Sequence, residues 1–436
     1  MNSQITSTET GKLEFLTTAD RIGAQLCRDA IWAGPRCNWL GDSMEQVGKD
    51  WKVVHRALGP DFYGGTSGVA LFLGRLFAST GERLFQKTAV AAVRQAISPA
   101  AVLGGPATIG FYSGLTGIAY TLAALSQIFQ SEELAQKAKR ILKDLAGQAP
   151  QPLALDVISG SAGAVPALLS IRGLLGEDSL LDLAVRHGEN LLATATETSF
   201  GISWNTLNIP AAERRQDLTG FSHGTAGIAW ALLELFAATG ERRFRDAAEG
   251  AFRYERHWFN PTHENWPDFR SLYDPTVQGD RTPGYPVTWC HGAPGIGLSR
   301  LRAFEITGEQ VYRKEIEAAL RSTARVLEVP TQSNFSLCHG AAGNAELLLY
   351  ASQVFCEGSY RLVANRVGEE GIELYERSRA PWPCGVSEGG ETPDLMLGLA
   401  GIGHFYLRLY DLLRTPPVVI LAGESGVGDQ RNGQPP

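Results

Sequence analysis

One short pattern constrains this chain more than any other: Gly-x-x-Gly followed by an apolar run, seven times over. The copies open at Gly65, Gly114, Gly160, Gly224, Gly292, Gly340 and Gly398, so successive first glycines lie 49, 46, 64, 68, 48 and 58 residues apart. A single Gly-x-x-Gly carries no information, but recurrence at this interval marks a chain built from copies of one supersecondary unit. The runs that follow, such as GVALFLGRLFASTG and GIAWALLELFAATG, are apolar on most faces and belong to buried helices. Thr80-Gly81-Glu82, Thr239-Gly240-Glu241 and Thr307-Gly308-Glu309 then supply a glycine for a left-handed helix end and a Glu for the next first turn. The segments beyond, such as FRDAAEGAFRYERHWF and YRKEIEAALRSTARVL, have one wet face. Each unit is a helical hairpin with an inner apolar helix and an outer half-wet one.

Seven such hairpins can stack as an open solenoid or close as a ring. An open stack needs polar terminal units. Here the first and last inner segments are as apolar as the middle ones, which predicts an all-α fold, an α/α toroid (α/α barrel) of seven helical hairpins with inner and outer rings. Its Gly-x-x-Gly turns gather at one end of the inner ring. The 49 glycines in 436 residues, about 11% against a usual ~7%, follow from this repeat. No linker divides the chain, so residues 1–415 are expected to form one domain and 416–436 a disordered tail. Two polar, turn-rich stretches, around 190–215 and 255–286, break the hairpin rhythm and run into a Gly-x-x-Gly copy. They are expected to drape over the same rim, where loops of such length are often functional.

A net charge of −7 without a basic block leaves no footprint for nucleic acid or an anionic membrane. No apolar stretch approaches the ~18 residues of a membrane span, and the polar start MNSQITSTETGKLEF lacks the apolar core of a secretion signal. Six scattered cysteines make no disulfide framework and point to a reduced, cytoplasmic setting.

The residues before the first glycines differ between repeats, and there the chemistry lies. Repeat five reads Trp289-Cys290-His291-Gly292, repeat six Leu337-Cys338-His339-Gly340 and repeat four Ser222-His223-Gly224. Three of eight histidines and two of six cysteines thus share one rim. Thiolate and imidazole are zinc's preferred ligands, and two cysteines with one histidine leave a fourth position open for chemistry. Sequence leaves His291 and His339 as alternatives, and use of both Cys-His pairs would close the site as a structural one. The other cysteines, and His55, His187, His257 and His263, fall in no such pattern, and His404 lies inside the last apolar helix.

WCHGAPGIGL, LCHGAAGNAELLL, FSHGTAGIAW, DVISGSAG and MLGLAGIG resemble the signature turns of the lanthionine synthetase C-like (LanC-like) family, over all seven repeats from about Tyr63 to Leu413. The segment Asn265-Trp266-Pro267-Asp268 resembles the cyclase domain of multidomain synthetases more than the stand-alone enzymes. With Met1 at its start and no room for a dehydratase or kinase domain, the chain is expected to be that cyclase domain standing alone. The resemblance implies an α/α toroid with one Zn2+ held by Cys290, Cys338 and His339. It also implies His223 as an active-site histidine and Asp156 as the acidic residue of the third turn. Stand-alone cyclases carry an Arg four residues before the first zinc cysteine; that position is Pro286 here, with Arg281 the nearest upstream alternative. His291 stands where multidomain synthetases commonly have His.

The activity so implied is addition of a peptide Cys thiol to a dehydroalanine or dehydrobutyrine, giving a lanthionine or methyllanthionine ring. The partner is a dehydrated precursor peptide, supplied by a separate dehydratase. Coordination would deprotonate a thiol whose ordinary pKa is about 8.5. His223 is the candidate acid for the α-carbon, imidazole being the side chain that titrates near neutrality. Asp156 is expected to orient a histidine or to cap its helix, and His291 to assist the enolate or to support the site. Two alternatives use the same site: addition of glutathione to dehydroamino acids, and a non-catalytic zinc-bearing toroid that binds a peptide or partner.

Overall fold

The computed structural model describes residues 2–48, 50–98, 106–147, 154–273, 281–329 and 334–422. Helix α1 (Asn2–Asp29) leads into two antiparallel hairpins, β1–β2 (Ile31–Ala33, Arg36–Asn38) and β3–β4 (Leu40–Val47, Asp50–Ala57). Three repeats follow: α2 (Thr66–Thr80) with α3 (Arg83–Ala96), α4 (Leu115–Phe129) with α5 (Glu132–Ala146), and α6 (Ser161–Leu175) with α7 (Leu180–Ala193). A short hairpin, β5–β6 (Thr196–Thr198, Gly201–Ser203), separates them from α8 (Thr225–Thr239) and α9 (Arg242–His257). Then come α10 (Ala293–Thr307) with α11 (Gln310–Leu327), α12 (Ala341–Val354) with α13 (Gly358–Gly371), and α14 (Leu399–Tyr410). The first glycine of each Gly-x-x-Gly is the N-cap of an even-numbered helix, and these inner helices are buried along most of their length.

The inner helices pack each against the next, and α14 packs on α2, so the ring closes. Among the described residues no outer helix follows α14; α1 lies along it instead. The seventh hairpin therefore pairs the last inner helix with a helix that precedes the first repeat. Local patterning could not reveal this pairing, because the two helices are separated by the other six repeats.

A circuit of backbone bonds ties the rim together. Tyr63 N–H donates to Tyr112 O (2.8 Å), Tyr112 to Ile158 O (3.1 Å), Val157 to Ser222 O (3.0 Å) and Ser222 to Cys290 O (3.1 Å). Cys290 then donates to Cys338 O (3.3 Å), Cys338 to Met396 O (2.9 Å) and Met396 back to Tyr63 O (3.0 Å). The second glycine of each copy makes this approach possible. A Cβ at Gly117 would lie 1.9 Å from Phe111 O, and one at Gly343 1.8 Å from Leu337 O. A side chain there would push each turn off the ring.

Two expectations are corrected. The chain from Pro416 is not a free tail at its start: Val418, Val419, Ile420 and Leu421 are buried at 0–4% exposure. Val418 O accepts from the Tyr112 hydroxyl (2.7 Å) and Val419 O from Trp289 Nε1 (2.8 Å). Tyr112 and Trp289, from turns two and five, meet with ring centroids 5.2 Å apart, and the segment sits as a plug against both. Four consecutive apolar residues gain more from burial than a tail loses in order; residues 423–436 lie outside the described set. The two long stretches are also shorter than expected, since α7 persists to Ala193 and α9 to His257.

Candidate active site

Register in the repeat decides where each side chain goes. The residue two places before a first glycine sits on the backbone circuit; the residue one place before it is His223, His291 and His339 in repeats four to six. Cys290 and Cys338 occupy the first of these places in neighbouring turns, joined by a backbone bond. Ligand atoms of Cys290, Cys338 and His339 lie within 4.8 Å of one another, and among the described residues they are the one cluster of three His, Cys, Asp or Glu side chains spaced to share an ion. Three tests favour the fit. The donors are two sulfurs and one imidazole, a set that suits zinc, whose bonds to them run to about 2.0–2.3 Å. His339 Nε2 is 2.8 Å from the Gly385 carbonyl, which can only accept, so Nε2 carries a proton and Nδ1 is left to face the cysteines. The Cys338 thiol hydrogen-bonds Cys290 and holds it well below the ordinary thiol range, while the same bond and burial push Cys338 up. Burial alone would lower His339, but its bond and charge contact with Cys290 raise it.

His223 projects from the fourth turn with about a third of its side chain exposed, and its Nδ1 is held by Asp156 at 2.5 Å. Asp156 lies four places before the first glycine of its repeat, and so do Asp61 and Asp394 in theirs. Each uses Oδ1 to accept the backbone N–H three residues on: Ser159 for Asp156 (2.8 Å), Gly64 for Asp61 (2.7 Å) and Leu397 for Asp394 (2.7 Å). Asp156 is thus both a turn cap and the partner of a histidine.

His291 lies outside the ligand cluster. It is 1% exposed, its ring stacks on His223 at 5.9 Å between centroids, and burial pushes its pKa down to about 4. Its Nδ1 is 3.8 Å from Asp268 Oδ1 in the second long stretch. Arg281 does not take the place of an Arg at Pro286 through Nη1, which donates to the Leu272 carbonyl (2.9 Å). Tyr63, which residue type alone does not single out, occupies in repeat one the place of the two cysteines, and its hydroxyl partners Cys338. A cavity of about 470 Å3 opens beside His339, between Tyr63, Asp394 and the β3–β4 hairpin.

The family model for "Lanthionine synthetase C-like protein" matches residues 56–417. The chain belongs to the lanthionine synthetase C-like family. The "Lacticin 481/lactococcin biosynthesis protein LcnDR2" of Lactococcus lactis subsp. lactis is 21% identical over 388 residues, 86% of this chain and 38% of that protein. "Glutathione S-transferase LANCL1" of Danio rerio is 28% identical over 209 residues, 46% of this chain and 44% of that protein. The chain thus spans less than half the length of either. Among solved structures, "Nisin cyclase" superposes with a TM-score of 0.62 at 17% identity, covering 81% of this chain and 89% of that one, which establishes the α/α toroid. In this LanC-like chain α1 and the buried Val418–Leu421 both fall outside the family match, although one pairs with α14 and the other is bonded to Tyr112 and Trp289. No described helix is long and apolar enough to cross a membrane.

Proposed function

We propose that this chain is a zinc-dependent lanthionine cyclase, acting on a dehydrated precursor peptide that a separate dehydratase supplies in the cytoplasm. The observation that carries this reading is the Cys290, Cys338 and His339 cluster set beside the His223–Asp156 pair on one rim. Family membership supports it, as do the names of two relatives, one in lacticin 481 or lactococcin biosynthesis and one a nisin cyclase.

Zinc at the three ligands supplies Lewis acidity that lowers the pKa of a thiol bound to it. This chain's own residues do the rest. Cys290 and Cys338 fix the reacting region in the rim circuit, and Gly385 keeps His339 in the tautomer that offers Nδ1. When the peptide thiolate forms a bond to the β-carbon of the dehydroamino acid, the alkene pair moves toward the carbonyl. His223, with Nδ1 occupied by Asp156, presents Nε2 toward the mouth and delivers a proton to the α-carbon. Asp156 stabilises the charged imidazole before the transfer. His291, buried and neutral, supports Cys290 and His223 from below.

Metal analysis combined with mass spectrometry of a dehydrated peptide tests the reading. Ring formation changes no mass, so alkylation of the remaining thiols counts the rings. Cys290→Ala and Cys338→Ala should lower zinc content and abolish cyclisation together; full zinc and full activity in either variant overturn the ligand assignment. The Danio rerio relative named a glutathione S-transferase motivates a second reading, with glutathione as the thiol. A cysteine-free dehydrated peptide that gains the mass of glutathione would favour it.

A further inference from the structure

The segment Asn265–Arg270 belongs to none of the seven turns, yet it is clamped over the fifth. Asn265 Nδ2 donates to the carbonyls of Tyr285 and Pro286, both at 3.0 Å. Asp268 N–H donates to Gly284 O at 2.7 Å, the Thr219 hydroxyl donates to Pro267 O, and Trp266 is 1% exposed. The clamp aims Asp268 at the site. One of its oxygens lies 3.8 Å from His291 Nδ1, which is buried without a hydrogen-bond partner among the described residues. Both oxygens take Arg270: Nε at 3.1 Å to each and Nη2 at 2.7 Å. Burial would raise Asp268, but the bonds from Arg270, the nearness of His291 and the guanidinium charge outweigh it and hold Asp268 below the usual carboxylate range.

Arg270 is therefore a fixed cation rather than a waving one. Its side chain is 48% exposed, its charge acts on both Cys290 and Cys338, and Nη1 has no hydrogen bond among the described residues. Of the rim histidines, His339 turns Nε2 to Gly385, His223 turns Nδ1 to Asp156, and His291 lies beneath the surface. Addition of sulfur to the β-carbon creates a need that none of them meets. As the C–S bond forms, the alkene pair moves to the bond between the α-carbon and the carbonyl carbon, and negative charge gathers on the carbonyl oxygen. A proton on the α-carbon then returns the charge to neutrality, and the proton lost by the thiol balances it; no oxidant or reductant enters.

We propose that Arg270, braced by Asp268, is the residue that receives the carbonyl oxygen of the dehydroamino acid and holds its developing charge. This inference rests on the cyclase reading and assigns Arg270 a substrate contact within it. A positioned donor at such an oxygen is worth roughly 10²–10³ in rate.

The test uses two thiols that carry the same S–C–C–C=O spacing as the adduct, 3-mercaptopropionate and the neutral 3-mercaptopropionamide. Binding to the cobalt-loaded full chain is read from the sulfur-to-cobalt charge-transfer band. The wild type should bind the carboxylate roughly 10- to 100-fold more tightly than the amide. Arg270→Gln and Asp268→Asn should lose that preference at unchanged cobalt content, with Arg270→Lys recovering part of it. With the dehydrated peptide, Arg270→Gln should lower kcat by roughly 10²–10³ while its zinc content stays that of the wild type. An equal affinity of the wild type for the two thiols, or a preference that survives in Arg270→Gln, overturns the proposal. Failure of the wild type to close any ring sinks the cyclase reading instead, and is seen without any Arg270 variant.

Discussion

Asp156 divides its carboxylate between two turns: Oδ1 accepts the N–H of Ser159 in its own turn, and Oδ2 takes His223 Nδ1 from the next. Asp61 and Asp394 make the first of these bonds in their repeats. The shared bond is structural, and the second bond is what singles out Asp156. Asparagine keeps an oxygen for the cap but loses the negative charge that supports a protonated imidazole. Asp156→Asn should retain zinc and most of its stability and lower kcat by roughly 10²–10⁴, the range of a positioned acid. Asp61→Asn, an equivalent cap without a histidine, is the control and should cyclise at a near wild-type rate. Equal rate losses in the two variants would reduce Asp156 to a cap.

The second glycine of the sixth turn is a point where fold and site meet. An added methyl at Gly343 would lie 1.8 Å from the Leu337 carbonyl oxygen, a backbone atom that cannot swing away, and Cys338 is the next residue. Gly343→Ala should cost roughly 3 kcal/mol or more and weaken zinc binding as the sixth turn leaves the circuit. At Gly358, the first residue of α13, the same methyl meets nothing within 4 Å. Gly358→Ala should change stability by no more than about 1 kcal/mol. Chemical unfolding and metal titration of both variants check the contrast.

What the sequence made legible was whatever depends on register. The seven copies announced inner helices, their glycine ends and the shared place of Cys290 and Cys338, because these follow from local spacing. Tyr63 was open to the same reasoning, since it stands two residues before Gly65. The pairing of α1 with α14, the plug at Val418–Leu421 and the aim of Asp268 and Arg270 are set by packing between distant segments. The plug did leave a trace, an unbroken Val-Val-Ile-Leu run in an otherwise polar terminus. Arg270 left none, because its position depends on Asn265 reaching the carbonyls of Tyr285 and Pro286.

The plug can be tested by truncation. Four side chains at 0–4% exposure are removed from water, at about 1.5–3 kcal/mol each. Their loss would also strip the acceptors from the Tyr112 hydroxyl and Trp289 Nε1. A chain ending at Thr415 should unfold more than ~10 °C lower than the full chain, or fail to fold. A chain ending at Ala422 keeps the plug and should match the full chain. Thermal melts of the two truncations decide, and equal melting temperatures would place Val418–Leu421 outside the stabilising core.

The last expectation concerns acid. His187 of α7 is 6% exposed, with Nδ1 3.2 Å from the Ser161 hydroxyl at the start of α6. Burial, helped by the charge of Arg186, pushes its pKa down to about 4, whereas an unfolded histidine titrates near 6.5. Above pH 6.5 both states are neutral and the full stability is present. As pH falls from 6.5 toward 4 the unfolded chain takes up a proton that the folded chain refuses, so stability is lost. By pH 5 this single group should cost about 2 kcal/mol. Glutamine can replace the contact to Ser161 but cannot titrate. Urea unfolding at pH 7 and pH 5 should therefore give a stability difference about 2 kcal/mol smaller in His187→Gln than in the wild type. His291 and His404, also buried and shifted down, keep part of the slope in both proteins. An unchanged difference would mean that folded His187 accepts its proton as readily as the unfolded chain does.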